Sequence, residues 1–446
     1  MNPGDSRAQR SDVPARAGDA VSGRSGDLWE LVFSRDNLLA ALRRVEANRG
    51  APGADGTRTD GLRSWLLGHW AGVREQLDAG TYRPQPVRQV MIPKPDGGQR
   101  KLGVPAVLDR LVQQAIAQVL VPVFDPGFVP VSYGFRPKKS AHDAVRVART
   151  VVGQGYRWVI EVDLDAFFDR VNHDALMARV ARKVKDKRLL GLIRRYLEAG
   201  IMADGVKRPT EEGTPQGSPL SPLLSNIMLD DFDQLMWSRG HRFVRYADDI
   251  RVFVKSRRAA ERVLNQCTKT LEQDLKLKVN REKSKISPAS GATLLGYGFY
   301  YSASGVKLRV APKALKRAKA RIKQLTSRKW SISMGERINL LNRFVRGWMG
   351  YFRLTDTPKI LSDLDKWFRR RMRQIRWKEW KKPRTRVANL RKLGISPRKA
   401  WEWGMTSKAY WRTAGSPILQ RALPNEYWET LGLVFLHDAW RRYRTT

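Results

Sequence analysis

Apolar positions recur at helical spacing from Leu28 to Val45, where Leu31, Leu38, Leu39, Leu42 and Val45 predict an amphipathic helix. A turn-rich loop, Gly50 to Gly56, follows, and Leu62, Trp65, Leu66 and Trp70 predict a second helical stretch. From residue 86 to 300 the pattern shortens to β-rich segments separated by helices, the mark of an α+β fold. Trp158 to Asp163 runs apolar and ends on an acid. Phe243 to Tyr246 and Ile250 to Val254 flank Ala247-Asp248-Asp249, which predicts a tight hairpin with both acids at its tip. Ser218-Pro219 and Ser221-Pro222 place cap residues before prolines, and Leu223, Leu224, Ile227, Met228, Phe232, Leu235 and Met236 then form an apolar helical face. Beyond residue 305 the pattern is helical: Ala314 to Arg328, Glu336 to Phe352 and Lys359 to Trp380. Residues 1–27 have almost no large apolar side chain and are predicted to be disordered. The chain therefore divides into a basic N-terminus (1–27), a helical extension (28–85), an α+β body (86–305), a helical region (306–395) and a small basic tail (396–446).

Charge adds a partner to this outline. The 446 residues carry 84 Lys+Arg against 43 Asp+Glu, a formal net charge of +41. An excess of that size implies a long polyanion, and nucleic acid fits better than a merely soluble surface. The excess is uneven, because residues 301–446 hold 36 Lys+Arg against nine Asp+Glu, with ten of the fifteen Trp. Basic side chains interleaved with aromatics suit phosphate neutralisation and base stacking, although core packing is the better reading for most of the Trp. One face of the last long helix gathers Arg369, Arg370, Arg371, Arg373 and Arg376, which reads as an RNA-binding track. Cys267 is the sole cysteine, which excludes a disulfide within this sequence and a Cys-rich zinc module. No uncharged run approaches the roughly 18 residues of a membrane span, and the N-terminus lacks an apolar leader. These features predict a cytoplasmic protein without a membrane partner.

Candidate chemistry lies in the acids. Nucleotidyl transfer brings a 3′-hydroxyl to an α-phosphate, and two Mg²⁺ ions about 3.5–4 Å apart can activate the nucleophile and stabilise the leaving oxygens. Mg²⁺ is hard and prefers carboxylate oxygens, so acids from separate segments must meet on a rigid scaffold. Asp163 at a strand end, with Asp248 and Asp249 at a hairpin, can do this. Taken alone the hairpin is ambiguous, because Asp is also an ordinary turn former.

The surrounding motifs decide between the two. Tyr246-Ala247-Asp248-Asp249 and Asp163 to Phe168 resemble the Y-x-D-D and D-x-x-x-F-F motifs of reverse transcriptases. Gly213 to Pro222 is similar to the family's P-Q-G block, and Ile92 to Gly103 to its fingers motif. Tyr133 to Pro137, Asn280 to Ser284 and Leu295 to Tyr297 match further blocks in the expected order. More narrowly, Gly50 to Gly56, the insertion around Asp109 to His142, and Arg337 to Arg371 resemble elements of group II intron reverse transcriptase/maturases. The resemblance runs from about residue 30 to 440.

It implies a right-hand polymerase fold: fingers and palm with an antiparallel sheet, then an all-helical thumb or maturase domain and a small C-terminal DNA-binding region. Asp163 and Asp248 would be the principal ligands of two Mg²⁺ ions, with Asp249 beside them. Lys94 and Arg100 would grip the dNTP triphosphate, Gln216 would contact the nucleotide, and Phe168 would lie against the sugar 2′ position. Lys283 would protonate the leaving pyrophosphate, against the default of a surface lysine. Implied partners are a group II intron RNA, an RNA template with DNA primer, and target DNA; monomer and dimer both remain open. The Cys- and His-containing endonuclease module of many members is not found, which suggests a primer of other origin. A retron-like or host-adopted enzyme and a non-catalytic RNA chaperone are the alternatives.

Overall fold

The computed structural model describes residues 28–445 apart from 94–96, 204–205, 209–212 and 214–216. The expected disorder of residues 1–27, and the placements of Lys94 and Gln216, therefore lie outside the described residues. The chain is mixed α and β, as the pattern predicts. The described residues form two compact units, one from 28–144 with 160–286 and the other from 145–159 with 287–445.

In the first unit the predicted N-terminal helix is two helices, Leu28–Phe33 and Arg35–Ala47. They break at Ser34, whose backbone is extended and whose hydroxyl donates to Leu31 O at 3.0 Å. The centre of the unit is helix Val107–Phe124, which buries Leu111, Val112, Ala115, Ile116 and Leu120. It is long and apolar enough to cross a membrane by composition, and the sequence pattern did not single it out. Buried Asp109 on it accepts from Tyr82 Oη at 2.7 Å and Gln85 N at 3.0 Å, the hydrogen bonding of a protein core.

Two four-stranded sheets belong here. The strands are β1 (Val87–Pro93), β2 (Gln99–Val104), β3 (Trp158–Val162), β4 (Ile201–Ala203), β5 (Val206–Arg208), β6 (Arg242–Tyr246), β7 (Asp249–Val254) and β8 (Lys285–Pro288). One sheet runs β2-β1-β4-β5 and the other β6-β7-β3-β8. The first is not wholly antiparallel, because β1 pairs parallel with β4 through Val87 and Ile201. A parallel pair needs a long crossover, and more than a hundred residues separate these two strands. The second sheet supports the candidate chemistry. Helix Ser221–Ser238, opened by Pro222, buries Leu223, Leu224, Ile227, Met228 and Phe232.

The second unit opens on a three-stranded sheet, ordered β11-β10-β9, from β9 (Thr293–Leu294), β10 (Tyr297–Ser302) and β11 (Gly305–Val310). The strand Gly305–Val310 precedes the first helix predicted beyond residue 305, which starts at Pro312. Helices Pro312–Leu325, Met334–Phe352 and Pro358–Glu379 match the predicted three within a few residues. Proline occupies the first turn of the first and third, where its missing N–H costs nothing. One buried apolar cluster joins Ile322, Leu341, Leu361, Phe368 and Trp377 to Leu419, Trp428, Phe435 and Leu436 of the tail.

Candidate active site

Tyr246 pairs with Asp249, so the β6–β7 turn consists of Ala247 and Asp248 alone. The sequence expectation of two acids at the tip is corrected: Asp248 is in the turn, and Asp249 is the first residue of β7. Ala247 is left-handed (φ 57°), the backbone that a two-residue hairpin favours. Gly134 lies against it so closely that a Cβ there would come within 2.2 Å of Ala247 N.

An ion pair behind the turn fixes it. Arg245 and Asp233 are both fully buried and paired, and Arg245 also donates to Ala247 O and Asn226 Oδ1 at 2.9 Å. Asn226 in turn donates to Gly134 O at 3.0 Å. Removing one partner of such a pair typically costs roughly 3–5 kcal/mol, because the other charge stays buried and uncompensated.

Asp163 follows β3 directly. Ser284 Oγ accepts from Asp163 N at 3.0 Å, Asn280 N donates to Asp163 O at 2.8 Å, and Asp165 N donates to Lys278 O at 2.8 Å. The segment 278–284 thus holds the strand end. Burial raises the Asp163 carboxyl above the usual carboxylate range, with Asp248 and Asp165 adding repulsion while Lys283 and Arg251 oppose it. Asp249 is also raised, chiefly by burial and further by Asp248, Glu161 and Asp163, and Arg251 again opposes. The three aspartates therefore share one electrostatic site, and exposed Lys283 belongs to it. They differ in their partners, because Asp249 Oδ1 is bonded to Arg251 Nη1.

Among the described residues no three acids, histidines or cysteines stand at ready metal-ligand spacing. Mg²⁺ does not require such a cage, since it keeps several waters and takes one or two carboxylates plus substrate phosphate. Asp163 and Asp248 are carboxylates whose mutual repulsion a dication would relieve, so the donor set fits Mg²⁺.

The other sequence candidates separate. Phe168 is buried and meets Phe167 edge-on at 5.1 Å between centroids. Arg100 pairs with Ile92 across the β1–β2 hairpin. The five arginines of helix Pro358–Glu379 are spread over several partners. Arg373 is buried and donates to Ala414 O at 3.0 Å, and burial pushes its guanidinium down to about 10. Arg370 donates to Trp411 O at 2.9 Å, and Arg371 to Thr326 O at 2.8 Å and Thr326 Oγ1 at 2.7 Å. Arg376 pairs with Glu379 at 2.8 Å, and Arg369 lies over the Phe435 ring at 5.3 Å.

A family model described as reverse transcriptase (RNA-dependent DNA polymerase) matches residues 92–299, and one described as group II intron, maturase-specific domain matches 315–394. The chain is also 36 % identical over 311 residues to protein YkfC of Escherichia coli (strain K12), covering 60 % of this chain and 82 % of that protein. The chain belongs to the group II intron reverse transcriptase/maturase family. Its enzyme class is RNA-directed DNA polymerase. Group II intron-encoded protein LtrA of Lactococcus lactis subsp. cremoris is 34 % identical over 219 residues, 49 % of this chain but 36 % of LtrA. A solved partial Cas6-RT-Cas1–Cas2 complex aligns with 55 % of this chain and 42 % of its own at 28 % identity, with a TM-score of 0.36.

Sequence reasoning missed Arg251, Glu161 and the Arg245–Asp233 pair. A signal existed for the first two. Arg251 follows Asp249 by two residues on β7 and so shares its sheet face, and Glu161 lies on β3 two residues before Asp163.

Proposed function

We propose that this enzyme extends a DNA primer along an RNA template by two-metal nucleotidyl transfer, and binds a group II intron RNA to assist its splicing and its target-primed mobility. The observation that carries the catalytic half is Asp248 alone in a buttressed turn beside Asp163, with Asp249 bonded to Arg251. When bound at Asp163 and Asp248, Mg²⁺ would supply activation of the 3′-hydroxyl and stabilisation of the leaving pyrophosphate. The chain's own part is to hold those carboxylates still through the Arg245–Asp233 pair and the 278–284 segment. Lys283, whose charge acts on Asp163, would give a proton to the pyrophosphate oxygen.

For RNA, helix Pro312–Leu325 is the better surface within the second unit. It contains no acid, buries Ala314, Ala318, Ile322 and Leu325, and exposes Lys316, Arg317, Lys319 and Lys323. Such a face suits phosphate and shape contacts with a folded RNA, and its binding should fall steeply with salt.

The test uses the full chain in two assays: primer extension on an RNA template, and splicing of a group II intron transcript at near-physiological Mg²⁺. Extension lost in Asp163→Asn, with RNA affinity and protein-dependent splicing retained, is the expected result. Extension unaffected by Asp163→Asn would refute the metal assignment. Splicing no faster with protein than without would refute the maturase half.

A further inference from the structure

The partner that singles out Asp249 is itself held. Arg251 Nη2 is 3.2 Å from Glu161 Oε2, and Glu161 Oε1 is 3.5 Å from Lys285 Nζ. The three side chains come from β7, β3 and β8, adjacent strands of the sheet that carries Asp163 and Asp249. The chain of charges therefore runs Asp249–Arg251–Glu161–Lys285 across one sheet face. Its two central members are nearly enclosed, with side chains 13 % and 10 % exposed, whereas Asp249 is 31 % and Lys285 57 % exposed. A long side chain in this setting is ordered at both ends: one guanidinium edge on Asp249, the other on Glu161. A planar fork fits two carboxylates in this way, and an ammonium point charge does not.

We propose that Arg251 is a positioning residue for the polymerase centre: anchored on Glu161, it holds the Asp249 carboxylate turned onto the sheet and limits the negative charge offered to metal. Asp163 and Asp248 are then the two carboxylates left facing the substrate. The guanidinium also places a fixed positive charge within the aspartate cluster. That charge weakens the attraction for a divalent cation while preserving the geometry of the turn. Glu161 has the opposite effect, since it draws Arg251 towards β3 and adds a negative charge. The inference rests on the metal reading of Asp163 and Asp248.

Opposite signs make it testable. The measurement is Mn²⁺ binding to the full chain followed by electron paramagnetic resonance, which does not depend on turnover, with single-nucleotide incorporation alongside. In Arg251→Gln a positive charge beside the site is lost, so Mn²⁺ should bind about tenfold more tightly. Incorporation should slow at least about tenfold with little change in the dNTP KM, because Asp249 is no longer held. In Glu161→Gln, Mn²⁺ should bind more weakly, by several-fold. Arg251→Lys should restore the Mn²⁺ affinity but only part of the rate, since it keeps the charge and loses the fork.

Thermal unfolding of each variant separates these shifts from simple misfolding. Should Arg251→Gln fail to fold, the contrast between Arg251→Lys (rate down, affinity kept) and Glu161→Gln (affinity down) decides the question. Equal Mn²⁺ affinity in wild type, Arg251→Gln and Glu161→Gln, or shifts of the same sign, would overturn the proposal. If Asp163→Asn and Asp248→Asn leave Mn²⁺ binding intact, the metal reading itself fails, and that outcome is distinct from the others.

Discussion

Two basic helices of the second unit look alike in sequence and differ in what their charges do. Helix Pro358–Glu379 carries the denser run of arginine, yet Arg370, Arg371 and Arg373 donate to carbonyls and Arg376 to Glu379. Helix Pro312–Leu325 carries a run that is mostly lysine and holds Lys316, Arg317, Lys319 and Lys323 exposed over a small apolar face. In the first, Arg370 and Arg373 fasten Trp411 and Ala414 of the tail to the helical core; in the second, Lys316, Arg317, Lys319 and Lys323 are exposed, as the proposed RNA surface requires. A guanidinium with five N–H donors can satisfy several carbonyls at once, whereas an ammonium on a flexible stem remains hydrated, so the residue type suits each task. Charge count alone does not locate a nucleic-acid surface. What the charges already touch does.

Substitutions in either helix separate the two roles. The largest effect is expected at Asp365, which sits within the fastening helix and accepts from Leu436 N at 2.9 Å and His437 N at 2.8 Å, at the start of the last helix. Burial pushes its carboxyl up from 3.8 to about 6. The folded protein therefore holds this proton more tightly than the unfolded chain does. The stability it contributes is full below the unfolded value near 4 and is lost as pH rises through about 6. Chemical denaturation of wild type between pH 4 and 7 should lose about 3 kcal/mol that Asp365→Asn does not lose. Parallel profiles for the two proteins would show that Asp365 is not the group responsible.

Next comes Arg373→Ala, which leaves Ala414 O without its donor and removes a buried stem. Roughly 2 kcal/mol of stability should go, read as a lowered midpoint, while RNA affinity per folded molecule stays within twofold, or about 0.4 kcal/mol. A variant that folds normally and loses RNA binding would return this helix to the role its sequence suggests. The smallest energetic effect is expected from replacing Lys316, Arg317, Lys319 and Lys323 together by Gln. Stability should change by less than about 0.5 kcal/mol, because these are surface positions. RNA affinity should fall about tenfold at moderate salt, with a shallower salt dependence. Unchanged affinity and slope would remove this helix from the interface.

Much of the architecture was legible because it depends on near neighbours in sequence. Apolar runs on both sides of Ala247-Asp248-Asp249 predict the hairpin, and helical spacing predicts the three long helices beyond residue 305. Asp163 was legible as a strand end before a turn. What was not legible depends on residues far along the chain. The parallel pairing of Val87 with Ile201 has no local signature. The exposure of Arg373 is set by Ala414, 41 residues away, and that of Arg371 by Thr326, 45 residues before it. The division between Asp248 and Asp249 is subtler still, because a one-residue difference in where the turn begins sends one acid to the tip and the other onto the sheet beside Arg251.

Single-turnover incorporation of one dNTP on an RNA template with a DNA primer separates Asp248 from Asp249. Asp248→Asn should lose at least about a thousandfold in rate with RNA binding and thermal stability kept, whereas Asp249→Asn should retain measurable incorporation, about tenfold slower. Asp248→Asn within tenfold of wild type, or Asp249→Asn as inactive as Asp248→Asn, would contradict that division.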